Sequence, residues 1–264
     1  AARRGRKAIE MQDLEEARDK VRWGRERRSL AMSDKEKETT AYHEAGHALL
    51  CELVENADPL HKVTIIPRGP SLGLTMSLPV ADQYTNRKKE LLDRMVIVMG
   101  GRVAEEIVFG DVTTGAASDI QTATNIARKM VCEWGMSEKL GMVRYSEGHE
   151  PLFLGRGTAY TTYSEASARE IDEEVRNLCH NAYQRAKELL EANRDKLEAI
   201  AKALLEYETL DGNQIRDIIK YGCMKNPPPP PSSARPKVEP PPHPDEEKAV
   251  SEDLPSNGLA ESPA

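Results

Sequence analysis

Residues 39–50 read TTAYHEAGHALL, with two histidines four apart and a glutamate directly after the first. No other feature constrains the fold as tightly. A helix turns about 100° per residue, so on a helix His43 and His47 project from one face about 6 Å apart. Both imidazoles can then reach one Zn²⁺ at about 2.0–2.1 Å. Glu44 lies beside them and, by the i,i+3 relation, near His47. Zinc lowers the pKa of water toward ~7, and Glu44 can hold that water and accept its proton. One helical turn then supplies metal ligands and base together. The ordinary alternative is an amphipathic helix whose histidines are surface or core residues. Ala41, Ala45, Gly46 and Ala48 weaken it, because small residues leave room for close approach to a site. Ser33 followed by Glu36 forms a capping box, and Asp58-Pro59 breaks the pattern, so the helix is expected from Ser33 to about Val54.

A catalytic zinc takes three protein ligands and keeps one position open. Leu50 and Leu53 stand where the extended pattern H-E-x-x-H-x-x-G-x-x-H needs Gly and His, so that solution is excluded. The remaining candidates for a third ligand are Glu105 and Glu106 on a later helix, Asp119 after the small-residue loop TTGAAS, and His61 beside the first strand. Each has an ordinary reading: solvated helix charges, a first-turn carboxylate favoured by the helix dipole, and an exposed loop histidine. Spacing does not choose among them.

The rest of the chain reads as mainly α-helical with a small β element. AIEMQDLEEARDKV places Ile9, Leu14, Ala17 and Val21 at roughly helical spacing, and ERRSLAMS reads as a linker. VTIIP (63–67) and LGLTMSLP (72–79) are short strands separated by the turn RGPS, a hairpin-like pair. A helix follows from about Asn86 to Val108. Its Gly100-Gly101 pair costs helix propensity, roughly 1 kcal/mol each relative to Ala, and is expected where another helix packs closely. Further helices are expected after Ser118, over 164–190 and 194–207, and from Asp211 to Tyr221, with GMVRY (141–145) as a strand and GHEPLFLGRG as a glycine-punctuated loop.

Composition narrows the function classes. From Asn226 onward lie 12 of the 17 prolines, no aromatic residue, and three Lys/Arg against seven Asp/Glu. Such a segment buries too little apolar surface to offset its ordering entropy, so residues 223–264 are expected to be a disordered, acidic, Pro-rich tail. About 225 residues remain, enough for a sizeable core. No run of 18 apolar residues reads as a membrane span, and no signal peptide is recognisable. Four scattered cysteines fit reduced structural thiols. The net charge of −7 argues against a nucleic-acid binder. The opening AARRGRK starts mid-pattern, as in a fragment of a longer protein.

Several blocks, in order, resemble one known family: TTAYHEAGHALL, HKVTIIPRG, LGLTMSLP, GGRVAEEIVFG, TTGAASDIQTATNIARKMVCEWGMSEKLG and TLDGNQI. Together they are similar to the protease domain of FtsH-type ATP-dependent membrane zinc metalloproteases, from about residue 1 to residue 221. The resemblance implies that His43, His47 and Asp119 bind one zinc per chain, that Glu44 is the catalytic base, and that Glu105 is a supporting residue or an alternative ligand. It implies a hexameric homo-oligomer and unfolded protein substrates delivered by an ATPase module. The phosphate-binding loop of that module is absent from this sequence, so ATP and the membrane would act only through segments outside it. The protease domain of the full-length enzyme would face the cytoplasm, organelle matrix or stroma. Residues 1–28 resemble the last helix of the ATPase lid, and 29–222 the protease domain. Leu74, Thr75 and Met76 are the expected substrate-binding strand, whose edge could pair with an extended peptide. The competing reading is a non-catalytic, ring-forming scaffold with a vestigial zinc site; an intact Glu44 argues against it.

Overall fold

The computed structural model describes residues 7–30, 32–79, 84–145, 147–148, 160–161 and 163–228. The glycine-punctuated loop falls almost wholly outside them, as does the tail from residue 229. Of the expected tail, 223–228 are described, and their start packs on the preceding helix: Lys225 N donates to Asp217 and Gln214 Nε2 to the Asn226 carbonyl, both at 3.3 Å.

The helices are α1 (Met11–Trp23), α2 (Asp34–Leu53), α3 (Lys88–Phe109), α4 (Ala117–Cys132), α5 (Glu165–Glu191), α6 (Arg194–Tyr207) and α7 (Gly212–Tyr221). A single 3₁₀ turn, Thr114–Ala116, leads into α4. The strands are β1 (Leu60–Thr64), β2 (Leu74–Ser77), the two-residue pair β3 (Glu147–Gly148) and β4 (Tyr160–Thr161), and β5 (Thr209–Asp211). Mainly α with a small antiparallel sheet is therefore the observed class.

α2 starts at the expected box. Ser33 Oγ accepts from Glu36 N, and the Glu36 carboxylate accepts from Ser33 N at 2.9 Å. From Thr40 to Cys51 almost every residue is buried, because α3, α6 and the sheet surround this helix. That is why α2 has no one-sided apolar stripe: a helix covered all round needs none. Leu49 and Leu50 are fully buried, with Met95 and Val103 of α3 and Leu197, Ile200 and Leu204 of α6 in the same core. The α6 stripe is thus consumed inside the chain.

The closest approach in the core is the α2–α3 crossing. A Cβ on Gly46 would run into the carbonyl of Gly100 and lie 2.7 Å from the Ala104 Cβ. A Cβ on Gly100 would lie 2.8 Å from the Gly46 carbonyl oxygen. Gly46 and Gly100 are therefore the facing pair that lets two backbones touch; of the sequence pair Gly100-Gly101 only Gly100 has the expected helix-packing role, and Gly101 faces the His43 ring.

The sheet has the order β2-β1-β5, antiparallel throughout, with Val63 opposite Thr75 on one side and Leu210 on the other. β1 begins three residues earlier than VTIIP suggests and ends at Thr64; Ile65 and Ile66 are buried but lie beyond the strand. β5 was not expected. It forms because Glu208 takes a left-handed turn (φ 61°) after α6, and its carbonyl accepts from Ile65 N at 3.0 Å and Thr64 Oγ1 at 3.1 Å. GMVRY is not a strand. Gly135 and Gly141 both adopt positive φ, and Tyr145 N donates to the Cys132 carbonyl, so this segment folds back on the end of α4.

Candidate metal centre

The crossing of α2 and α3 places both histidines against α3, and α4 enters with its first turn. His43 Nε2 and His47 Nε2 lie 3.1 Å apart. Asp119 Oδ2 lies 3.1 Å from the first and 3.4 Å from the second. Among the described residues these three form the one group of metal-binding type. A tetrahedral zinc with bonds of about 2.0–2.1 Å needs ligand atoms about 3.3 Å apart. The observed triangle matches one face of that tetrahedron.

The opposite ring nitrogens decide what the triangle can hold. His47 Nδ1 lies 2.8 Å from the Ile97 carbonyl, which only accepts, so Nδ1 carries the proton. His43 Nδ1 lies 2.7 Å from Glu105 Oε1, a carboxylate that likewise accepts. With each Nδ1 proton committed to an acceptor, each ring has its Nε2 left to face the same point, joined by a carboxylate oxygen. A cation fits there, whether a metal ion on the two Nε2 lone pairs or a proton. Burial opposes a charge on His43, but Asp119 and Glu105 outweigh it and push its pKa up to about 10, so a proton takes that place unless a metal ion displaces it. Burial also resists ionisation of Asp119, yet the two imidazoles hold its carboxyl well below the usual carboxylate range. Positive charge is stabilised here.

Glu105 is almost fully buried and does not enter the triangle. It bridges His43 Nδ1 and the backbone N–H of Thr113, the latter at 2.8 Å, and so ties the ring to the loop that leads into α4 and Asp119. That is a supporting position, not a ligand position. Glu106 points away and binds Tyr183 and Lys187. His61 sits at α1, with Arg18 Nη2 2.7 Å from its Nε2, and takes no part in the cluster.

Glu44 is buried beside the triangle. Burial pushes its pKa up, against the lowering effect of His47 and His43. Its Oε2 accepts from Thr75 Oγ1 at 2.6 Å. β2 is an edge strand: among the described residues only β1 pairs with it. A cleft of about 1270 Å³ runs along this edge and past the triangle, lined among others by Leu74, Thr75, Glu44 and Asp119. Met76 turns the other way into the core, 1% exposed, so it can offer the cleft only its backbone.

Sequence reasoning missed four contributors to this geometry. The Ile97 carbonyl and Thr113 N–H are backbone groups and leave no side-chain signature. Gly101 does leave one: a Cβ there would lie 2.5–2.6 Å from His43 Cε1 and Cδ2, so the glycine makes room for the ring. Gly73 is the fourth, with a Cβ position 2.7 Å from Glu44 Cγ and Oε1. An isolated glycine at a strand start is the available signal for such close approach.

Comparison with known proteins gives the family of the chain. The sequence profile of peptidase family M41 matches residues 30–218. The chain is 60% identical over 229 residues to the ATP-dependent zinc metalloprotease FtsH 2 of Methylacidiphilum infernorum, covering 86% of this chain and 36% of that protein. It is 55% identical over 229 residues to FtsH of Akkermansia muciniphila, covering 86% and 28%, and 52% identical over 222 residues to FtsH 3 of Symbiobacterium thermophilum, covering 83% and 36%. The chain thus spans about a third of the length of the curated relatives it matches. On the match over residues 30–218 and the identity to these relatives, the chain belongs to peptidase family M41, as a protease domain of the FtsH type.

Proposed function

We propose that this domain is a zinc endopeptidase that hydrolyses peptide bonds of unfolded polypeptides, with His43, His47 and Asp119 as ligands and Glu44 as general base. The observation that carries the reading is the convergence of two lone-pair nitrogens and a carboxylate, each ring pinned through its Nδ1. Zinc, when bound, supplies a Lewis acid that acidifies water and polarises a peptide carbonyl. Glu44 takes the proton of the attacking water and delivers it to the leaving amine. Burial raises its pKa, the direction that strengthens a carboxylate as a proton acceptor. Glu105 and the Ile97 carbonyl hold the rings in orientation. The free edge of β2 offers backbone N–H and C=O groups to an extended peptide beside Glu44, through Leu74, Thr75 and the Met76 backbone. Recognition through backbone groups tolerates many sequences, which suits unfolded substrates.

The larger setting is proposed from the relatives. Residues 1–28 are the end of an ATPase lid and 29–222 the protease domain. The full protein is a membrane-associated, ATP-driven homo-oligomer, a hexamer, with this domain in the cytoplasm or an organelle interior. Among the described residues no helix is long and apolar enough to cross a membrane. A scaffold role is disfavoured, because Glu44 is present and held in place.

The test is casein degradation by the zinc-loaded domain, with and without chelator. Chelation should abolish cleavage and added zinc restore it. Glu44→Gln should retain zinc and lose about 10²–10⁴-fold in turnover, since an amide cannot accept the proton. Near-normal turnover in that variant would falsify the mechanism.

A further inference from the structure

Thr75 stands out among the residues around the cleft. It lies on the edge strand, where a peptide would pair, yet its side chain is already engaged. Its Oγ1 lies 2.6 Å from Glu44 Oε2 and 3.3 Å from the Glu44 carbonyl oxygen. Both partners are acceptors, so the hydroxyl proton must go to Glu44, and the shorter contact takes it. A hydroxyl donating to a buried carboxylate is a charge-assisted hydrogen bond, among the stronger kinds. On the other side of the same carboxylate, Gly73 leaves no room: a Cβ there would lie 2.7 Å from Glu44 Cγ and Oε1 and 2.8 Å from the Thr40 methyl. Gly73 and Thr75 therefore close on Glu44 from the strand, while His43, His47 and Asp119 set the charge that it faces from the helices.

From this geometry we infer that Thr75 is a positioning residue for the base, and that the segment Gly73–Thr75 is its cradle. The inference rests on the peptidase reading, since it assigns a helper to the base named there. Its chemistry is specific. A glutamate has three side-chain torsions and would swing freely if held only by its backbone. The Thr75 hydroxyl selects one rotamer, and the missing Cβ of Gly73 permits it. Misplacing a reacting group by about 1 Å can cost on the order of 10²-fold in rate. The strand that would receive the substrate also holds the base. A peptide paired with β2 is therefore delivered in fixed register to the Glu44 carboxylate.

The alternatives make different kinetic predictions. If Thr75 only contacts substrate, its loss appears in KM. If it only stabilises the fold, its loss appears in thermal stability and follows the methyl as much as the hydroxyl. The experiment compares Thr75→Val, which keeps shape and removes the donor, with Thr75→Ser, which keeps the donor. Each is measured for zinc content, melting temperature, and kcat and KM on a short unstructured peptide. A crystal structure of each variant gives the Glu44 rotamer independently of activity. The expected result for Thr75→Val is a kcat lowered about tenfold or more, KM within about twofold, one zinc retained, and Glu44 rotated from its place. Thr75→Ser should restore both kcat and rotamer. A Thr75→Val enzyme with unchanged kcat, a loss confined to KM, or a Glu44 rotamer identical in both variants overturns the assignment. An inactive wild type with bound zinc would instead overturn the peptidase reading, and the rotamers would still decide whether Thr75 holds Glu44.

Discussion

α1 and α2 are both helical, both begin with a capping box, and carry opposite relations between sequence and burial. In α2 the apolar and small residues are inside, and so are Glu44 and His47. In α1 the apolar positions are outside: Leu14 is 55% and Val21 86% exposed, and Ala17 is exposed too. Among the described residues of α1 the buried one is Asp19, which binds Lys62 Nζ at 3.0 Å and Arg18 at 3.0 Å. α2 is therefore held by close packing and by a metal-type cluster, α1 by a charged anchor at the sheet. Apolar periodicity shows which face of a helix wants a partner. It does not show whether that partner lies in the same chain.

The largest expected effects should fall on α2 without touching a ligand. Gly101→Ala would push a methyl into the His43 ring and should strip zinc and activity while His43, His47, Glu44 and Asp119 all remain. Elemental analysis and peptide cleavage measure this. Among direct substitutions, Asp119→Asn should weaken zinc retention far more than Glu105→Gln, for which a supporting residue predicts about 10–100-fold. The reverse order in a chelator-competition titration would move the ligand role from Asp119 to Glu105.

Next in size is the helix crossing. Gly46→Val must separate α2 from Gly100, and overpacking of this kind costs about 1–3 kcal/mol. A chemical-denaturation midpoint lowered accordingly is the expected outcome. An unchanged midpoint would mean that the crossing is looser than the geometry requires.

The sequence exposed this region unevenly. The helix and the base were legible in TTAYHEAGHALL, and the cap in Ser33 and Glu36, because they are local: 3.6-residue periodicity joins residues four apart. The choice of Asp119 over Glu105 was open by spacing, and only the likeness to relatives pointed to it. The reason is physical. Asp119 meets His43 through the packing of α4 on α3, and Glu105 meets the other nitrogen of the same ring, so one histidine contacts both. β5 was illegible because three residues carry no usable alternation, and its pairing with β1 depends on one left-handed residue, Glu208. GMVRY has strand-like composition, but two positive-φ glycines and a carbonyl at the end of α4 override it.

A smaller effect tests the anchor of α1. Asp19→Ala removes the acceptor shared by Lys62 and Arg18, and a lost charge-assisted bond costs about 1–3 kcal/mol. Burial raises the pKa of Asp19, but the hydrogen bonds from Lys62 and Arg18 outweigh it and hold the carboxyl below its usual range. The sign follows. A carboxyl lowered on folding stabilises the fold above its unfolded pKa of about 3.9. That contribution is lost as pH falls through the lower, folded value. Protection of the α1 amides against hydrogen exchange should therefore fall in Asp19→Ala at neutral pH, and in the wild type only in acid.

The smallest effect is the most diagnostic for the comparison. Val21→Lys changes an apolar residue at 86% exposure to a charge. If the Val21 face has no partner within this chain, the substitution removes almost no buried area. The change in stability should stay within about 0.5 kcal/mol, as for surface positions generally. Lysine is also a better helix former than valine, by a few tenths of a kcal/mol, so a slight gain is the expected sign. A denaturation midpoint lowered by more than that would mean that α1 already packs its apolar side within this chain, and the contrast with α2 would fail.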